Sequence, residues 1–150
     1  MKVRLDFENV AGAVRAPRKS EISHWARAAL KGMRRARVAV GLRLVDETES
    51  AQLNRRYRRK KGPTNVLSFR FENPPGVRSD ILGDLVICAP VVNREAAALA
   101  RAARAHWAHI VVHGIMHLRG FDHENRKDAS LMQGIEAKVL KGLGFRDPYA

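Results

Sequence analysis

Apolar residues recur along this chain with two different periods, and each switch between them marks a new element. Alternation in "KVRLDF" (2–7) predicts a strand. Ile22, Trp25, Ala29 and Met33 fall at helical spacing within 20–33, with Ser20 as the N-cap. Alternation returns over 35–46, where Val38, Val40, Leu42 and Leu44 share one face of a strand. Residues 46–59 open with acids and close with cations, the order a helix dipole favours. "KKGPTN" (60–65) reads as a turn and "VLSFRF" (66–71) as a strand. "ENPPGVRSD" (72–80), with adjacent prolines and a glycine, is a loop. "ILGDLVICA" (81–89) is a largely apolar strand. One long helix is expected from Val91 to about Leu118, stopped by Gly120, and a last helix over 126–142. Strands crowd the first half and the longest helices fill the second, which predicts an α+β layer architecture.

The 150 residues fit one domain, 1–150, with enough chain to bury a core unaided by disulfides. Cys88 is the lone cysteine, which excludes an internal disulfide and every multi-cysteine zinc motif. It fits a reducing compartment, and the first ten residues lack an apolar signal core, so a cytoplasmic protein is expected. No apolar run reaches the roughly 18 residues of a membrane span. The formal charge of +13 changes the picture more. Enrichment in arginine and alanine reflects codon bias in part, but a large excess of cations over acids suits a polyanionic partner, and nucleic acid is the commonest.

The candidate chemistry sits in "HGIMHLRGFDH" (113–123). His113 and His117 are four residues apart near the end of the long helix, so both rings leave the same face and can grip one transition metal. His109 lies one turn earlier, but the rise from 109 to 117 is about 12 Å, too far for one ion with bonds of about 2 Å. His109 is therefore expected to pack or hydrogen-bond behind the site. Gly120 can end the helix and swing "FDH" back, making His123 the third ligand. Three histidines with an open fourth position describe a catalytic zinc site, with Asp122 or Asp84 closing it or standing behind it. A lone histidine on an amphipathic helix is ordinarily a packed or solvated group, and His24 and His106 are read so.

The spacing H-x-x-x-H-x-x-G-x-x-H is that of metzincin proteases, yet Gly114 stands where a zinc protease carries its glutamate base. "RRYRRKKG" (55–62) places six cations and one tyrosine in its first seven positions, a composition suited to phosphate contact and base stacking. Should the fold bring this cluster to the zinc, phosphodiester hydrolysis follows; otherwise it is a solvated charged face. "KGMRRAR" (31–37) is more generic and adds to the field.

Three blocks together resemble the YbeY family, bacterial metal-dependent endoribonucleases of ribosomal RNA maturation. They are "LNRRYRRKKGPTNVLSF" (53–69), "LGDLVIC" (82–88) and "WAHIVVHGIMHLRGFDH" (107–123). The last is similar to the family's H-G-x-x-H-L-x-G-x-D-H signature. The resemblance implies a small mixed β-sheet packed with helices and a three-histidine metal site at the end of a long helix, a zincin-like arrangement. It implies one Zn2+ per chain on His113, His117 and His123, and a functional arginine at Arg58. It also implies cleavage of single-stranded RNA, with roles in 3′-end maturation of small-subunit ribosomal RNA and in ribosome quality control. Ribosomal RNA and the ribosome or its small subunit are the implied partners. Arg55, Arg56, Arg59, Lys60 and Lys61 would dock the RNA backbone. Two departures stand out. Arg59-Lys60-Lys61 replaces a segment that usually reads Gly-Lys-Asp, and Arg70 follows "VLSF" where proline is frequent. A zinc hydrolase of another bond, peptidase-like, and a non-catalytic ribosome-binding protein with structural zinc are the competing expectations.

Overall fold

The computed structural model describes residues 1–121 and 125–150. Four strands, β1 (Lys2–Asn9), β2 (Arg37–Val45), β3 (Val66–Arg70) and β4 (Ile81–Cys88), form one sheet in the order β1-β2-β4-β3. β1, β2 and β4 run parallel, whereas β3 pairs antiparallel with β4 at the edge. The sheet is thus mixed, as the resemblance implied.

Parallel neighbours cannot be joined by a hairpin, so a helical crossover is required between β1 and β2. Helix α1 (Lys19–Leu30) supplies it and buries Ile22, Trp25, Ala29 and Leu30 against the sheet's main core. Its N-cap is Arg18 rather than Ser20; Glu21 reaches back to the Arg18 N–H, so the helix starts a turn-fraction earlier than its serine suggests. Val38, Val40, Leu42 and Leu44 do share the core face. On the other face Val45, Leu67, Val86 and Cys88 form a smaller cluster beneath α2 (Glu47–Arg58) and α3 (Ala89–Ala98).

The long helix expected from Val91 to Leu118 is two helices, α3 and α4 (Ala103–Leu118). Ala100 adopts φ +52, Ala100 N–H donates to the Ala97 carbonyl and Arg101 N–H to the Ala96 carbonyl. This is a Schellman ending in which alanine occupies the place glycine usually takes. Helical periodicity continues through the break, so the pattern alone does not betray it.

Helix α4 is buried on almost every side, packed by α1, α3, α5 (Arg126–Gly142) and the sheet. A helix so enclosed is apolar over most of its surface, and the polar His109, His113 and His117 fall along one partly exposed side. Trp107, its largest buried side chain, donates its indole N–H to Asn93 Oδ1 at 2.8 Å. Gly120, with φ +99, ends the helix as expected.

Candidate active site

Two histidines on α4 face each other, and a carboxylate from α5 meets one of them. His113 Nε2 and His117 Nε2 lie 3.2 Å apart at the partly exposed end of the helix. Behind them, His113 Nδ1 donates to Glu136 Oε1 at 2.6 Å. The other carboxylate oxygen, Oε2, accepts from the Tyr149 hydroxyl and lies 3.3 Å from His109 Nε2. Glu136 is 0% exposed. Burial by itself raises a carboxyl's pKa, but hydrogen bonds from His109 and His113 and the charge of His113 outweigh it and hold Glu136 at about 2. Tyr149 is pushed upward, first by burial and then by the adjacent carboxylate.

This arrangement passes a test for a metal. Two nitrogens each about 2.0–2.1 Å from one tetrahedral ion stand about 3.3–3.4 Å apart, close to the observed separation. A ligating histidine also characteristically donates its other nitrogen to a carboxylate, which Glu136 provides for His113. The expected third ligand, His123, lies outside the described residues, as does Asp122. Among the described residues no three His, Cys, Asp or Glu side chains gather into a metal-binding group. Asp84 stands on the opposite face of the sheet. Leu85 points at Gly114, so strand alternation turns Asp84 away, over Gly41 and beside Asp6 and Glu8.

Gly114 follows His113 for a packing reason. A Cβ there would lie 2.8 Å from Leu85 Cδ2 and 3.3 Å from Val66 Cγ2. Where α4 presses on the sheet a side chain would have to displace buried Leu85, so the protease glutamate is absent from a position that favours glycine. Ser68 donates to the Gly114 carbonyl at 3.3 Å and seats the edge strand on the helix.

That edge strand carries the basic segment to the histidines. The turn after α2 is tied down by two buried side chains of that helix. Ser50 exchanges hydrogen bonds of 3.0 Å with Thr64, and Asn54 donates to the Gly62 carbonyl at 2.9 Å. Arg59 ends α2 in the left-handed region at φ +55, a conformation the usual glycine of this segment adopts without strain. As a result Tyr57, Arg58, Thr64, Ser68, His113 and His117 line one cleft of about 610 Å³. Arg55, Arg56, Arg59, Lys60 and Lys61, on the last turn of α2 and the turn after it, are exposed and contribute nothing to the cleft's lining. Tyr57, 55% exposed, meets Phe69 edge-to-face at 5.1 Å with the Arg56 guanidinium 5.4 Å above its ring.

His109 does stand behind the site, against Glu136 and Tyr149. His106 is buried and bonded to Glu95 at 3.0 Å. Glu136 and Tyr149 were not among the expected residues. The signal for Glu136 is a charged residue on the buried stripe Met132–Glu136–Leu140. Nothing in the sequence distinguishes Tyr149.

The cleft joins a histidine pair to an arginine, side chains whose chemistry suits a hydrolase of phosphate esters. A family model described as endoribonuclease YbeY matches residues 7–144. The chain belongs to that family. It is 54% identical over 125 residues to an endoribonuclease YbeY of Methylococcus capsulatus, covering 83% of this chain and 81% of that one. Its identity to the endoribonuclease YbeY of Nitrosococcus oceani is 44%, covering 99% and 98% of the two chains. A solution structure from Thermotoga maritima shares the fold at a TM-score of 0.57 and 25% identity, covering 91% of this chain and 87% of that one.

Proposed function

We propose that this chain is a cytoplasmic, zinc-dependent endoribonuclease that cleaves single-stranded RNA. The family membership and the names of its relatives support the activity. The observation that carries the reading is that Arg58 and the two histidines line one cleft. Zinc would be held by His113, His117 and His123, one ion per chain. When bound, it supplies Lewis-acid polarisation and a water acidified to a pKa of about 7. Glu136 keeps the His113 proton on Nδ1, so that Nε2 faces the cleft as an acceptor. Arg58 donates to the nonbridging oxygens of the scissile phosphate and gains strength as charge accumulates on the phosphorane. Arg55, Arg56, Arg59, Lys60 and Lys61 engage flanking phosphates. The substrate would be ribosomal RNA, at the small-subunit 3′ end and in ribosome quality control, with the ribosome or its small subunit as partner. No helix among the described residues is long and apolar enough to cross a membrane. A peptidase is disfavoured because Gly114, packed against Leu85, supplies no glutamate base.

Replacing Arg58 with Ala tests the assignment. Zinc content should be unchanged while turnover of single-stranded RNA falls by about 100-fold or more. Unchanged turnover would remove the role of Arg58. Cleavage of peptides rather than RNA by the parent protein would replace the proposed reaction.

A further inference from the structure

Glu136 offers one oxygen to His113, and its other oxygen is clamped by two groups the proposed reaction does not use. Tyr149 Oη donates to Glu136 Oε2. His109 Nε2 lies 3.0 Å from the same hydroxyl and 3.3 Å from the same carboxylate oxygen. His109 Nδ1 is buried with no hydrogen-bond partner among the described residues. Nε2 faces two oxygens and Nδ1 faces none among the described residues, so the geometry places an N–H on Nε2, where it is satisfied, rather than at Nδ1, where it would be buried without a partner. That Nε2–H is shared between Tyr149 Oη and Glu136 Oε2.

Tyr149 is itself held. Arg101, the residue just past the left-handed Ala100, reaches across to the Pro148 carbonyl at 2.7 Å. Tyr149 N–H donates to Asp147 Oδ1 at 2.8 Å. The break between α3 and α4 thus places an arginine that seats the segment bearing the tyrosine. With two donors meeting at Oε2, rotation of the carboxylate would cost both contacts, which favours keeping Oε1 against His113 Nδ1.

We propose that Tyr149 and His109 are positioning residues: they lock the Glu136 carboxylate so that His113 is held in its Nδ1–H tautomer, with Nε2 presented toward His117. The clamp is a property of the chain without metal, while its use in metal binding rests on the function proposed above.

The experiment takes the full chain and its Tyr149→Phe variant, which keeps the ring and removes only the hydroxyl. Side-chain 1H–15N correlation spectra of the metal-free proteins report the His113 tautomer, and competition with a chromophoric chelator reports zinc affinity. A single Nδ1–H form is expected in the parent and a mixture of both tautomers in the variant, with zinc binding weakened about tenfold. A His109→Gln variant, which keeps an N–H donor near the same place, should restore most of the single form compared with His109→Ala. A His113 spectrum that is the same in Tyr149→Phe as in the parent overturns the clamp, whatever the zinc affinity. The expected tautomer change in a protein that binds no zinc would keep the clamp and overturn the metal reading instead.

Discussion

Glu136 Oε1 lies 2.6 Å from His113 Nδ1, so a carboxylate on α5 orients a ring on α4. Such a carboxylate fixes a ligand's tautomer and raises its basicity. Burial opposes the ionised form, but the hydrogen bonds from His109 and His113 prevail and hold the group at about 2, below its ordinary 4.5. A carboxyl depressed on folding contributes stability that is complete above pH 4.5 and is lost as pH falls toward 2. Urea unfolding across that window should show a loss on the order of 3 kcal/mol in the parent. The Glu136→Gln variant should give a flatter profile there and bind zinc about 10–100-fold more weakly. A parent profile as flat as the variant's would contradict the assignment.

Substituting Gly114 with Ala should destabilise the fold by about 1–3 kcal/mol, because the new methyl meets Leu85 and Val66 where neither can retreat freely. Denaturant midpoints for the two proteins measure the difference. A neutral result would mean that α4 is not pressed against the sheet at this point.

Ala100 takes a left-handed conformation that costs an L-residue roughly 1–2 kcal/mol. Ala100→Gly should therefore raise stability, by about 1 kcal/mol, despite the flexibility glycine adds to the unfolded chain. Thermal melting reads this directly. A lowered midpoint would argue for an unbroken helix through this segment.

Lys60 and Lys61 project from the turn after α2 without an ion-pair partner among the described residues. If both contact phosphates, replacing them with Ala should reduce the slope of log affinity for single-stranded RNA against log salt by about 1.4. Fluorescence anisotropy at several salt concentrations gives the slope. An unchanged value would leave these two lysines as solvated charge.

Much of this was legible in the sequence because it depends on local periodicity. The alternation of Val38, Val40, Leu42 and Leu44 marks one sheet face, and the spacing of His113 and His117 fixes their common side of a helix. What escaped depends on substitutions for the usual signal. Ala100 and Arg59 hold left-handed backbone at helix ends where glycine would have announced it. The arrival of Arg58 at the histidines is a tertiary fact, made by Ser50 and Asn54 pinning the intervening turn and by β3 lying on α4. Glu136 was visible only as a charge on an apolar stripe, and its meaning appears once His113 is seen to face it.

The most direct test of the proposed reaction measures bound metal and cleavage of single-stranded ribosomal RNA in the purified protein beside its His117→Ala variant. The expected result is close to one zinc per chain in the parent, with metal and cleavage lost together in the variant. Undiminished cleavage in a zinc-free His117→Ala protein would contradict it.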